Sequence, residues 1–241
     1  DLEAKDKFSR TALIIAARYG TADTLQVLID AKADIVVKEH RRGTALMGAI
    51  ASNKIRCVQI LIAAKANVDV VTVGGSSALL KAAEYGYTEC LQLLIDAKAD
   101  LEVVDTEGAT ALTKAVIRHE SECTKLLIDA KANIEAESEF GSSPLACAAY
   151  NGNAACLQVL IDAKADLESR DDEGQTPLMN AVMFSQVECA QLLLDAKADF
   201  NAEDDNGKTV LIHAGAGSDE TCVDLLLSFK VRQEIEEKHF D

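Results

Sequence analysis

Apolar and polar positions along this chain fall into two short blocks that recur every 33 residues. One copy, residues 105–137, shows the pattern. Asp105-Thr106-Glu107-Gly108 is polar and predicts a turn, because Asp and Gly stand at turn-favouring offsets. Thr110 follows where an N-cap belongs, its hydroxyl placed to accept the N–H groups of a first helical turn. Ala111 to Arg118 carries Leu112, Ala115 and Val116 on one face and predicts a short helix. His119-Glu120 is a tight connection, filled by Gly20, Gly86 and Gly152 in copies one, three and five. Glu122 to Ala130 predicts a second helix with Cys123, Leu126 and Leu127 apolar, and Ile134 to Glu137 is an extended lead into the next turn. Neither helix reaches the ~12–15 residues that stand alone in water. Each can bury its apolar face only against the next copy, so stability is approximately a nearest-neighbour sum.

The copies are in strict register. A Thr or Ser followed two residues later by Leu falls at Thr11, Thr44, Ser77, Thr110, Ser143, Thr176 and Thr209. Ala-Lys-Ala-Asp/Asn falls at residues 31–34, 64–67, 97–100, 130–133, 163–166 and 196–199. Fixed self-similarity at this period predicts an all-α repeat solenoid. The expected organisation is a single domain over 1–241. It has a partial repeat at 1–5, repeats starting near 6, 39, 72, 105, 138, 171 and 204, and a polar C-terminal cap at about 228–241. Asp1 aligns with Asp34, so the chain is expected to begin mid-repeat, as a trimmed piece of a longer protein. The first repeat offers Ile14 and Ile15 as an internal repeat would. Self-association through an uncapped first face is therefore expected, whereas the tail from Arg232 to Lys238 reads as polar.

Composition narrows the core. Apolar residues make up 49% of the chain but aromatics only 4%, with no Trp, so the core is built from Ala, Leu, Ile and Val. No apolar run approaches the ~20 residues of a membrane span, and Asp1 to Lys5 has no signal-peptide character. Net charge is −16 and lopsided. Residues 1–120 hold 15 Lys/Arg against 16 Asp/Glu (net −1), and residues 121–241 hold 9 against 24 (net −15). Such an acidic chain repels phosphate backbones, so nucleic acid is an unfavourable partner. The asymmetry favours a protein or peptide with a basic stretch that meets the second half. Cys57, Cys90, Cys123, Cys156, Cys189 and Cys222 form one column at the repeat spacing. Equivalent positions on stacked helices lie on the order of 10 Å apart, too far for a disulfide's roughly 7 Å. Core packing of reduced thiols, rather than a redox or metal ladder, is the expectation, and it places the chain in the reducing cytoplasm.

The period, together with Asp171-Asp172-Glu173-Gly174-Gln175-Thr176-Pro177-Leu178, Asp204-Asp205-Asn206-Gly207-Lys208-Thr209 and the Ala-Asp-Phe-Asn-Ala run at 198–202, resembles the ankyrin repeat family over essentially the whole chain. The resemblance implies helix-turn-helix units joined by β-hairpin-like turns. It also implies non-enzymatic protein binding through a concave face of turn tips and first helices. Two features depart from the family pattern. The His that usually follows Thr-Pro-Leu is replaced by Ile14, Met47, Leu80, Thr113, Ala146, Met179 and Ile212, so its hydrogen bond to the turn must be replaced or lost. The Gly that usually ends the second helix is Lys32, Lys65, Lys98, Lys131, Lys164, Lys197 and Lys230. In a left-handed conformation each costs about 1 kcal/mol relative to Gly. Asn201 lies in the turn context where the family is sometimes hydroxylated, but only one repeat carries it.

In repeat proteins the structural positions recur and the recognition positions vary. Here variation concentrates at the turns and at the ends of the first helices. Six of the ten aromatics fall there: Phe8, Tyr19, Tyr85, Phe140, Tyr150 and Phe184. Rings at variable surface positions are the type enriched in binding hot spots. Lys7, Arg10, Arg18, Arg41 and Arg42 make one end of this surface basic, Arg118 lies midway, and Asp172 and Glu173 help make the other end acidic. The expected function is a protein–protein interaction module, with partner contacts at Phe8, Arg10, Tyr19, Arg41, Arg42, Tyr85, Arg118, Phe140, Tyr150, Asp172, Glu173 and Phe184. The alternative is a structural spacer of a larger protein. No enzyme is expected. His40, His119, His213 and His239 share no metal-type spacing, Gly74-Gly75 has no following Lys-Ser/Thr, and no metal or cofactor is implied. Cys147, Asn180 and His213 are the residue types of thiol hydrolases, yet stacking holds them roughly 10 Å apart where a nucleophile and base need roughly 3 Å.

Overall fold

The computed structural model describes the backbone of residues 1–39, 43–138, 141–216 and 220–238. The chain divides into two compact units, Asp1–Asn133 and Ile134–Asp241. Helices come in pairs, one pair per repeat. The first unit holds α1 (Ala12–Tyr19), α2 (Ala22–Asp30), α3 (Ala45–Ala51), α4 (Ile55–Ala63), α5 (Ala78–Glu84), α6 (Thr88–Asp96), α7 (Ala111–Ile117) and α8 (Ser121–Asp129). The second holds α9 (Pro144–Asn151), α10 (Ala154–Asp162), α11 (Pro177–Met183), α12 (Val187–Asp195), α13 (Val210–Ala216) and α14 (Glu220–Lys238). Inside each unit first helices pack on first helices (α1 on α3, α3 on α5, α5 on α7; α9 on α11, α11 on α13). Second helices form a parallel row (α2, α4, α6, α8; α10, α12, α14).

The recurring residues make this core. Leu13, Leu46, Leu79, Leu112, Leu145 and Leu178 of the first helices are buried, as are Leu61, Leu94, Leu127, Leu160, Leu193 and Leu226 of the second helices. Each fully buried Leu is worth roughly 1.5–3 kcal/mol of transfer free energy. The cysteine column is interior; all seven cysteines are buried and none forms a disulfide. Ile14 is 1% exposed and belongs to the same interior column as Met47 and Leu80. It does not form part of an open first face as expected; only its neighbour Ile15 reaches solvent.

Helix ends follow from single residues. Thr44, Ser77, Thr110, Ser143 and Thr176 accept the backbone N–H three residues on at 3.2–3.5 Å, as N-caps should. Thr11 holds the same place, but its buried hydroxyl meets no partner. Each of the first six second helices closes in a Schellman turn. After α6, Lys98 donates its N–H to Ile95 O and Ala99 donates to Leu94 O, at 2.9 and 3.0 Å, with Ala99 tucked into the core. The lysine at this bend is left-handed: φ is 68° at Lys32, 65° at Lys65, 64° at Lys98, 72° at Lys131, 68° at Lys164 and 76° at Lys197. The seventh lysine, Lys230, departs from the expectation. It lies inside α14, a 19-residue helix that carries straight through the position where the others bend. The segment read as a polar cap is thus the far half of α14, and it exposes Val231 and Ile235.

Acidic side chains tie one repeat to the next along the loops after the second helices. Glu3 accepts the Asp34 N–H at 2.8 Å, Asp69 that of Asp100 at 2.9 Å and Glu102 that of Asn133 at 2.9 Å. In the second unit Glu135 serves Asp166 at 2.9 Å and Glu168 serves Asp199 at 2.7 Å.

The two lysine environments make opposite expectations. Lys98→Gly removes a left-handed side chain and should raise the unfolding free energy by up to about 1 kcal/mol. Lys230→Gly introduces glycine into a helix interior and should lower it by about 1 kcal/mol. Urea denaturation of both variants is the check. A loss of stability at Lys98→Gly would mean that the lysine contributes a contact larger than its strain.

Candidate protein-interaction surface

Seven turn tips stand ahead of the seven first helices. Each is closed by a backbone bond from the tip's first N–H to the carbonyl four residues on: Asp6 to Arg10, Glu39 to Gly43, Thr72 to Ser76, Asp105 to Ala109, Ser138 to Ser142, Asp171 to Gln175 and Asp204 to Lys208, at 2.9–3.2 Å. Where the first residue is Asp, one carboxylate oxygen accepts two further N–H groups inside the tip. Asp105 Oδ1 takes Glu107 at 2.9 Å and Ala109 at 3.0 Å. Asp171 takes Glu173 and Gln175, and Asp204 takes Asn206 and Lys208. This Asx turn pre-forms the tip from local sequence alone.

The second carboxylate oxygen needs its own donor, and each acidic tip has one. Lys114 Nζ lies 2.5 Å from Asp105 Oδ2, Asn180 Nδ2 donates to Asp171 Oδ2 at 3.0 Å, and His213 Nε2 lies 3.0 Å from Asp204 Oδ2. All three donors stand nine residues after their acid, on the first helix of the same repeat. Asp6 is served by Arg10, at 2.6 Å. Glu39 is served from the preceding repeat by Arg18, at 2.9 Å, past Gly48, which occupies the donor position but has no side chain. The tips at Thr72 and Ser138 begin with an uncharged side chain, and there the donor positions hold Lys81 and Cys147. The bond lost with the family histidine is therefore replaced by a carboxylate-and-donor lock at another position.

This lock resolves the tempting trio. Asn180 and His213 are committed to tip carboxylates. Burial pushes the Cys147 thiol up to about 11, opposite to the depressed value of a nucleophilic cysteine. Burial likewise raises Cys90 and Cys189 to about 11. The pairing of an acid with a donor nine residues later was present in the sequence and went unread. Its signal is that an acid and a donor co-occur in repeats four, six and seven.

The locked tips and adjoining helix ends carry the expected contact residues. In the first unit Phe8 and Tyr19 are exposed, and the Arg10 guanidinium lies 4.8 Å from the Phe8 ring centroid and 5.9 Å from that of Tyr19, within cation–π range. Tyr85 is exposed beside Tyr87, centroids 5.6 Å apart, with Lys81 Nζ 5.7 Å from its ring. Arg118 pairs with Glu84 at 2.7 Å on the surface. In the second unit the Tyr150 and Phe184 rings meet at a tilt of 49° with centroids 4.0 Å apart while remaining 48% and 42% exposed, and Asp172 and Glu173 face solvent. Arg41, Arg42 and Phe140 lie outside the described residues. Arg18 is a correction. It is 8% exposed and ion-paired to the buried Glu39, so it supplies no free surface charge. Its aliphatic stem and Gly48 leave room for that internal pair.

Family models for ankyrin repeats, each of three copies, match residues 1–72, 46–138, 79–171, 122–204 and 145–239. The chain belongs to the ankyrin repeat family. Among solved structures it is similar to the crystal structure of the ankyrin repeat domain of Bcl-3, described as a unique member of the IkappaB protein family. The TM-score is 0.81 and the identity 24%, over 90% of this chain and 98% of that one, a likeness that concerns the fold. No curated protein sequence matches. Among the described residues no helix is long and apolar enough to cross a membrane.

The lock sets an acid response. The Arg10 hydrogen bond holds Asp6 down to about 2. Backbone N–H groups, led by Lys208, lower Asp204 despite its burial. Burial pushes Asp105 up, but Lys114 and the Ala109 and Glu107 amides outweigh it, so its net shift is also downward. A carboxylate depressed in the folded state contributes stability that is present above the unfolded value of about 3.9 and is lost as pH falls through the folded value. Unfolding free energy should therefore drop most steeply between about pH 4 and pH 2. Asp105→Asn and Asp204→Asn should each flatten that drop in acid-denaturation curves. Unchanged slopes in both variants would contradict the lock.

Proposed function

We propose that this chain is a protein–protein interaction module that takes a partner segment on the turn tips and the exposed ends of its first helices. Ankyrin repeats are generally such modules, and the observation that supports the reading here is the exposed, tilted Tyr150–Phe184 ring pair together with the acidic Asp172-Glu173 tip. Two rings held in contact have already lost much of their conformational freedom, which lowers the entropy cost of binding. The acidic tips of the second unit favour a partner with a basic stretch, whose association slows as salt rises. In the first unit Tyr85, Phe8 and Tyr19 offer a second set of rings. Seven buried cysteines outside any disulfide fit a reducing, intracellular setting. Locked tips, a silent Cys147 thiol and committed Asn180 and His213 favour binding over catalysis.

The test is affinity capture from a cell extract at low and high salt, followed by titration of the identified partner against variants. Tyr150→Ala with Phe184→Ala should weaken binding at least tenfold, and Tyr85→Ala severalfold, as loss of hot-spot rings of about 2 kcal/mol implies. Salt should lower the association rate. Full affinity in the combined variant would sink the tip-face reading, and capture of nothing above background would leave a structural spacer as the role.

A further inference from the structure

The carboxylate ties between successive loops have one gap. Glu3, Asp69, Glu102, Glu135 and Glu168 each hold the N–H found 31 residues on. The equivalent of these acids in the second repeat is Val36, which is 75% exposed and can accept nothing. The N–H it would serve belongs to Asn67. The Asn67 side chain makes the usual bond to Asp69 N–H at 2.9 Å, but its own N–H meets no acceptor among the described residues. At this place the loops after α2 and α4 border a half-open surface cavity of about 690 Å³, where Val36 and Asn67 are exposed, a size that suits a ligand group. Its lining includes Lys32, Lys38 and Lys65 against a single acid, Asp34, whose carboxylate is already bonded to the Val36 N–H at 2.8 Å. In a chain of net charge −16 this is a local excess of positive charge. Apolar walls from Ile29, Val36 and Val70 complete it.

We propose that this cavity binds an aspartate or glutamate side chain of a partner protein segment, which supplies from outside the carboxylate that the other repeats supply from within. The five internal ties define the ligand chemistry: a carboxylate oxygen at 2.7–2.9 Å from a loop N–H. Such charge-assisted bonds are stronger than neutral ones, and the three lysines add long-range attraction. The apolar walls suit the aliphatic stem and neighbours of a peptide residue better than a free inorganic anion. The site does not depend on the aromatic rings of the tips.

The probe is the capped peptide Leu-Glu-Leu-Glu-Leu, titrated into the ¹⁵N-labelled chain, with Leu-Gln-Leu-Gln-Leu and inorganic phosphate as comparators. The Asn67 amide signal should move saturably with the Glu peptide and at least tenfold more weakly with the Gln peptide or phosphate. Val36→Glu should close the gap from within, raise the melting temperature and abolish the response. Lys38→Gln and Lys65→Gln, at exposed positions, should weaken it severalfold. An Asn67 signal that stays still overturns the proposal, as does one that responds equally to the Gln peptide or to phosphate, or one that the three variants leave unchanged. Retention of this response in the Tyr85, Tyr150 and Phe184 variants, whose partner binding is weakened, would separate the two surfaces.

Discussion

No first helix here is longer than eight residues and, before the last repeat, no second helix is longer than nine, so none can persist without its neighbours. Burial of one repeat against the next is therefore the condition for everything else. It explains why the apolar columns are so uniform. Within each unit, leucines recur at the same place on successive helices that pack on one another, so a void at one is felt across the joint. It also explains the use of small residues and cysteine where helices approach, and the confinement of nearly all rings to the surface. Among the described residues Phe200, buried with Phe229 5.9 Å away, is the exception.

With the stack fixed by apolar columns, the polar atoms are arranged around it by local rules. The Schellman ends satisfy the last helix carbonyls and, in five of the six, place an alanine back in the core. The tip acids spend one oxygen on their own backbone and one on a side-chain donor. The loop acids reach along the stack. Each device acts over a few ångströms and repeats because the repeat does. Its failures are accordingly local: a glycine at the donor position of the second repeat, a valine among the loop acids, a threonine cap without its bond.

Period, helix pairs, N-caps and cysteine column were legible in the sequence because they depend on residue type at fixed spacing. The left-handed lysines were legible as a question, and the structure answers it for six of seven. Lys230 escaped because the bend is a property of the chain after it, and nothing about the lysine itself shows that α14 continues. Burial of Ile14 escaped because helix phase decides which of two adjacent isoleucines turns inward. Arg18 read as surface charge because its partner, Glu39, lies in another repeat, and the two meet beside Gly48. The aromatic positions at the tips were legible by their variability; the contact between Tyr150 and Phe184 was not, since it depends on how two successive helix ends are offset.

The tip locks differ in how self-contained they are. Asp105 with Lys114, Asp171 with Asn180 and Asp204 with His213 each travel inside one 33-residue segment. Duplication, deletion or shuffling of such a segment carries a finished tip with it. The second repeat is not portable in this sense. Its Glu39 is completed only by Arg18 of the segment before it, so the two are inherited usefully only as a pair, in that order. An array assembled by copying can thus accumulate joints at which further copying is no longer neutral.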